Sequence, residues 1–192
     1  MGANALLKNV SGSFNIAVGH GALANNTGSA NTGMGFKALF SNIDGQNNTA
    51  GGYQALYVNH TDADNAAYGY IALRDNTASF NTAFGSQALV LNREGDSNTA
   101  IGAFALAYNT TGFSSTACGK GALSSNTTGV GNIAIGPLAG LNITTGNENI
   151  VIRNIGLSTD SGTIRIGTTN THTAIYLAGS AGQTVGAGGS TF

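Results

Sequence analysis

The chain carries a short motif of alternating polar and apolar positions that returns at a nearly constant interval. Asn15-Ile-Ala-Val-Gly19 is followed by Asn31-Thr-Gly-Met-Gly35, Asn48-Thr-Ala-Gly-Gly52 and Asn65-Ala-Ala-Tyr-Gly69. Asn81-Thr-Ala-Phe-Gly85, Asn98-Thr-Ala-Ile-Gly102, Ser115-Thr-Ala-Cys-Gly119 and Asn132-Ile-Ala-Ile-Gly136 continue it, each copy starting 16 or 17 positions after the last. Three residues beyond each glycine stands an alanine, from Ala22 to Ala139, then a leucine in seven copies, from Leu23 to Leu123. Asparagine comes next at Asn26, Asn42, Asn59, Asn76, Asn92, Asn109 and Asn126. Self-similarity at a short fixed period is the signature of a solenoid, in which equal positions lie on top of one another in columns.

Each coil is too short for a helix, which the recurring Gly and β-branched residues would interrupt at a fixed place. Two short strands and two turns fit. Asn-x-Ala-x-Gly reads as the first strand, with the glycine supplying a positive φ or a close backbone approach at the bend. Ala-Leu reads as the second strand, and the Asn/Thr/Gly/Ser/Asp stretch after it as the return loop. The residue before the bend glycine (Val18, Phe84, Ile101, Ile135 and, in one coil, Cys118) reads as core, so Cys118 is expected to be a small buried hydrophobe. Coils stacked at about 4.8 Å give a rod of roughly 40 Å, and stacked asparagines can bond amide to amide along it. The small residues on one strand face bury little area, so a lone roll is thin and gains if several chains share that face.

Gly2, Ala5, Leu6 and Asn9 fall in the same frame, which predicts that the chain opens in mid-coil as a piece of a longer array. At the other end Asn149-Ile-Val-Ile-Arg153 replaces the bend glycine with arginine and lacks Ala-Leu. The chain therefore divides into a β-roll over 1–153, about nine coils with the first truncated, and a β neck or cap with a flexible tail over 154–192. Two alternating strands are expected in the second part, over Thr163–Gly167 and Thr173–Gly179.

Composition fits this frame. Of 192 residues 30 are glycine, 8% are charged and the net charge is −1. Seven scattered cations cannot form the dense basic face that nucleic acid requires. With 41% apolar residues and almost no net charge, charge-driven disorder is excluded. No apolar run approaches the roughly 18 residues of a membrane span, so no membrane insertion by this segment is expected. The opening residues show no basic patch followed by an apolar stretch, and no secretory leader is expected within them.

Asn-x-Ala-Ile-Gly-x-x-Ala-Leu over Asn98–Leu106 resembles the head repeat of trimeric autotransporter (YadA-like) adhesins. The near-constant coil length and the Ala-Leu column are similar to versions in bacterial and phage trimeric tail-fibre-like proteins, over residues 2 to about 153. The resemblance implies a left-handed parallel β-roll with three chains packed side by side as a homotrimer. Gly162-Thr-Ile-Arg-Ile-Gly167 with His172–Gly179 resembles the neck that follows such rolls, after which an intramolecular chaperone stands in many of those proteins. Its residues are not in this sequence.

Candidate chemistry is sparse. The eight acids recur in no column, so no carboxylate pair at a glycosidase-like spacing can be demonstrated. His20, His60 and His172 stand in three different settings, with no partner to orient a nucleophile. A trimer would triple a histidine near its axis, and Asp62-Ala-Asp64 lacks the glycine and distal glutamate of a calcium loop. Solvent-facing turn residues explain both better, and no metal or cofactor is expected.

The aromatics stand out. Phe36, Tyr53 and Tyr70 share the column directly after the bend glycine, and Phe40 and Tyr57 share the one after leucine. Phe104 and Tyr108 lie in neighbouring coils. These columns also accept His20, Lys120, Pro137 and Arg74, which predicts that they face solvent or a partner chain. Phe36, Tyr53, Tyr57, Tyr70 and Phe104 are thus the candidate ligand-binding residues, as a ladder of rings for sugar faces or an envelope component; packing against a neighbouring protomer or against each other is the alternative.

The functional expectation is a non-enzymatic segment of a trimeric fibre or adhesin, extracellular, on a bacterial surface or in a phage virion. It would bind a cell-envelope glycan or host surface multivalently, or serve only as a shaft. An ice-binding solenoid is a minor alternative, from the column Thr32, Thr49, Thr82, Thr99 and Thr116, which Ile16, Ala66 and Ile133 interrupt.

Overall fold

A computed structural model describes residues 2–168 and 171–172. It is an all-β parallel solenoid of about nine turns, in which paired positions of successive strands are 16 or 17 apart in the chain, and 14 apart at the last step. Each coil contributes one three-residue strand: β1 Ile16–Val18, β2 Thr32–Met34, β3 Thr49–Gly51, β4 Ala66–Tyr68 and β5 Thr82–Phe84. β6 Thr99–Ile101, β7 Thr116–Cys118, β8 Ile133–Ile135, β9 Ile150–Ile152 and β10 Ile164–Ile166 complete a single ten-stranded sheet in sequence order. Pairing is parallel throughout, and its register is that of the sequence repeat: Ala17 on Gly33, Gly33 on Ala50, Ala50 on Ala67. The strand expected over Thr163–Gly167 is present as β10, a tenth rung on β9, with Arg165 opposite Val151. The strand expected over 173–179 lies outside the described residues.

Two expectations are corrected. Ala-Leu is not a second strand. Leu23, Leu39, Leu56, Leu73, Leu89, Leu106 and Leu123 have φ between 49° and 53° and lie in turns. The segment still bonds from coil to coil, Leu23 N donating to Ala38 O (3.0 Å) and Leu56 N to Ala72 O (3.0 Å). Its left-handed residues aim each leucine into the coil, where all seven are fully buried. Seven of the turn positions two residues past the column glycine, from Asn4 to Leu138, also take positive φ without being glycine, including Lys37, Gln54 and the β-branched Ile71. An array of inter-coil hydrogen bonds holds conformations that an isolated chain would avoid.

The second correction concerns which strand face is inside. Leucine from the turn fills the coil, so the opposite wall has room only for a methyl group. The central strand residue (Ala50, Ala67, Ala83, Ala100, Ala117, Ala134) points in and is fully buried. The residue before the bend glycine therefore points out. Val18, Met34, Phe84, Ile101 and Ile135 are exposed, and so is the Cys118 thiol, which is not a core residue. Among the described residues the small-residue strand face is packed within the coil and is not open to a neighbouring chain.

Two files of asparagine satisfy the polar interior. In one, Asn42 Nδ2 donates to Asn26 Oδ1 (2.5 Å), Asn59 to Asn42 (2.8 Å) and Asn109 to Asn92 (2.7 Å). Each second amide proton goes to a return-loop carbonyl, as Asn42 Nδ2 does to Gly45 O (2.9 Å). In the other, the side-chain oxygen of one coil accepts the backbone N–H of the next, as Asn31 Oδ1 does from Asn48 N (2.9 Å). Buried polar groups stabilise only when paired, and this arrangement also fixes the register. The first file stops at Asn126. Ile143 stands in the following coil, and Asn126 Oδ1 is a buried acceptor without a donor.

The bend glycines have the predicted property. Gly85 sits at φ 143°, and a Cβ there would lie 2.5 Å from Gly102 C and 2.6 Å from Gly102 O. Stacked backbones meet here, and no side chain fits at Gly85.

Candidate functional site

The column after the bend glycine forms a continuous ring stack. His20 lies 5.5 Å from Phe36 (16° between planes), Phe36 5.1 Å from Tyr53 (13°), and Tyr53 5.4 Å from Tyr70 (18°). Parallel pairing brings the columns to one spacing, which side-chain rings match. A second stack runs beside it, Phe40 on Tyr57 at 5.4 Å and 3°. Lys37 joins the two, its Nζ 5.4 Å from the Phe36 ring centre and 5.1 Å from that of Phe40. Four of the five predicted site residues, Phe36, Tyr53, Tyr57 and Tyr70, are thus brought together on one side of the rod. Phe104 is exposed three coils beyond Tyr53, in the column of Lys37 and Gln54, and stacks on none of them.

The stacking decides what these rings offer. Each interior ring has both faces covered by its neighbours and presents an edge to solvent. Tyr70 ends the stack: the next residues of its column are Ser86 and Ala103, then Lys120. Arg74, in the same coil as Tyr70, makes a two-pronged contact to Asp75 (Nε to Oδ1 2.9 Å, Nη2 to Oδ2 2.6 Å). Hydrogen bonding to Asp75, and secondarily its charge, holds the guanidinium above the usual arginine range.

The outer sheet face is not legible as one surface in the sequence, because the column before the bend glycine reads there as core. On all ten strands the outward side chains are aliphatic, aromatic, Thr, Gly or Cys, and none is charged. Tyr68 stacks on Phe84 there at 4.6 Å. The threonine column of β2, β3, β5, β6 and β7 shares this face with Met34, Gly51, Phe84, Ile101 and Cys118. Side chains so unequal in size do not form the flat paired array that an ice-binding surface needs.

Other chemistry is local. Asp62 takes a position that glycine holds in most return loops, and burial pushes its carboxyl above the ordinary carboxylate range. Asp64 Oδ1 accepts from Asn47 Nδ2 (3.1 Å), and His172 Nδ1 accepts from Thr168 N (2.9 Å). Among the described residues no three His, Cys, Asp or Glu side chains come together as metal ligands. Two shallow grooves of about 440 and 480 Å³ lie along the return-loop side, one lined by Lys8, Thr27 and His60 and the other by Ser125, Thr144 and Thr159. Among the described residues no helix is long and apolar enough to cross a membrane.

Comparison with known proteins returned no matching family model, no matching curated protein and no matching solved structure. The parallel β-solenoid with its asparagine ladder therefore stands on the coordinates and the repeat alone.

Proposed function

We propose that this chain is a rigid, non-enzymatic segment of a trimeric fibre or adhesin, displayed outside the cell on a bacterial surface or carried in a phage virion. Three copies pack side by side through the outer face of the ten-stranded sheet. The observation that supports this is the character of that face. Val18, Met34, Phe84, Ile101, Ile135 and Ile166 are exposed along the rod with no charge among them. An uncharged, largely apolar face along a row of stacked strands is a poor surface to leave in water, because apolar patches of this extent mark interaction sites. Two further copies offer the same file at the same spacing, and the three files can converge on a three-fold axis to close a ring. Repetition in three chains then turns weak surface contacts with a cell-envelope glycan or host surface into avidity.

Cys118 reports on this directly, since it lies in the middle of that face. In the native assembly its thiol should react with a small maleimide about tenfold or more slowly than in the chain unfolded in denaturant. Labelling of the folded protein at the free-thiol rate would show that the face is bare and end the side-by-side reading.

A further inference from the structure

We propose that the gap in the ring stack between Tyr70 and Lys120 is a binding notch for a carboxylated pyranose. The inference rests on the reading of the rod as a displayed glycan-binding surface, and it names where on that surface the sugar sits and of what kind it is.

The column His20, Phe36, Tyr53, Tyr70 is a wall of stacked side chains, and it stops at Tyr70 although the backbone beneath it does not. Gln87 N donates to Tyr70 O (2.9 Å), Phe104 N to Ser86 O (2.9 Å) and Gly121 N to Ala103 O (2.8 Å). The coil floor therefore continues in register while two successive side chains, Ser86 and Ala103, are too small to carry the wall forward. Tyr70 has Tyr53 against one face and only the Ser86 hydroxymethyl beside the other, and it is more exposed (53%) than Phe36 (39%) or Tyr53 (45%). Lys120 resumes the column three coil steps on, about 14 Å from Tyr70 at ordinary strand spacing.

A flat group bound on Tyr70 would take the level that the next ring of the stack would have taken, over Ser86. One further level, over Ala103, is left open between the sugar and Lys120. The C–H face of a pyranose is apolar enough to lie on a phenol ring. Its hydroxyls find Ser86 Oγ and the half-buried Gln87 amide along the floor, and exposed Phe104 borders the far side. Lys120 is exposed and belongs to neither ion pair found among the described residues. Its flexible stem lets the ammonium reach back over Ala103, where it would meet a carboxylate in a charge-assisted hydrogen bond. Arg74, the other nearby cation, is already engaged by Asp75, so the charge available to a ligand is that of Lys120.

The test is a titration of the native chain with methyl β-glucuronide and, separately, methyl β-glucoside and benzoate, followed by saturation-transfer NMR. The expected result is binding of the glucuronide with about a tenfold preference over the glucoside. Lys120→Gln should remove the preference and Tyr70→Ala the binding. The double variant Ser86→Tyr with Ala103→Tyr is decisive, because it carries the ring stack up to Lys120, leaves Tyr70 and Lys120 in place, and should abolish binding with no loss of thermal stability. Absence of glucuronide binding to the native chain, equal binding of the glucoside, a response to benzoate alone, or binding that survives the Ser86→Tyr, Ala103→Tyr double variant each overturns the proposal. Solution mass measured on the same samples separates this outcome from a failure of the trimeric reading, which does not decide whether the notch of one chain holds a sugar.

Discussion

Arg165 and Asp160 close the C-terminal end of the core by a paired contact, Nε to Oδ2 at 2.5 Å and Nη2 to Oδ1 at 2.7 Å. Arg165 occupies the inward strand position that Val151 holds in the coil before it and alanine in most earlier ones, and Asp160 follows the return-loop glycine column of Gly129 and Gly146. The carboxylate is almost wholly buried and also accepts from Leu157 N (2.8 Å). Breaking one half strands a buried charge, so Arg165→Ala should cost roughly 3 kcal/mol. The double variant Arg165→Ala with Asp160→Gly restores the consensus of both columns and should recover most of that loss. Urea denaturation of the three proteins measures it, and additive losses in the double variant would contradict the pairing.

The same pair makes a pH prediction. Hydrogen bonding to Arg165 holds the Asp160 carboxyl below its ordinary value of 3.8 in the folded chain. The folded state then binds this proton less readily than the unfolded state, so stability from the pair is present above about pH 4 and falls away as the pH drops further. Thermal melts from pH 7 to pH 2 should show a steeper acid loss in the native chain than in the double variant. Parallel curves would remove the pair as the cause.

The asparagine file predicts a dependence on position. Asn42 gives protons to Asn26 Oδ1 and Gly45 O and accepts from Asn59, so Asn42→Leu strands three partners and should cost about 3 kcal/mol. Asn126 already has an orphaned oxygen and bonds only to Asn109 and Gly129, so Asn126→Leu should cost distinctly less. Equal losses in denaturant titrations would mean that the ladder is not the source of stability.

Glycine columns differ in the same way. Gly85→Ala drives a Cβ into the Gly102 backbone at φ 143° and should cost about 3 kcal/mol or more, enough to prevent folding in a thin solenoid. Gly162 has φ 63° with nothing within 4 Å of an added Cβ, so Gly162→Ala should cost about 1 kcal/mol. Circular dichroism melts of the two variants check this ordering.

Columns, register and amide ladders were legible in the sequence because each coil repeats the same requirement at Gly85, Asn42 or Ala88, and repetition separates requirement from chance. The phase of the strand was not. A three-residue strand alternates equally well either way, and Val18 or Ile101 reads as core until turn leucines such as Leu106 are seen to fill the coil and leave space only for Ala100. The left-handed leucines were hidden for a related reason, since nothing in the propensity of Leu points to φ near 50°, and only the neighbouring coil's hydrogen bonds hold it there. The ring stack was legible as a column. That its inner faces are mutually covered, leaving Tyr70 as the open end, required the geometry.

Static light scattering of the native chain across micromolar concentrations tests side-by-side trimerisation, the central claim, most directly. A single species of three times 19.1 kDa is expected, which Ile101→Lys on the outer sheet face converts to monomer without loss of strand content. A mass of 19.1 kDa for the native chain at every concentration would contradict it.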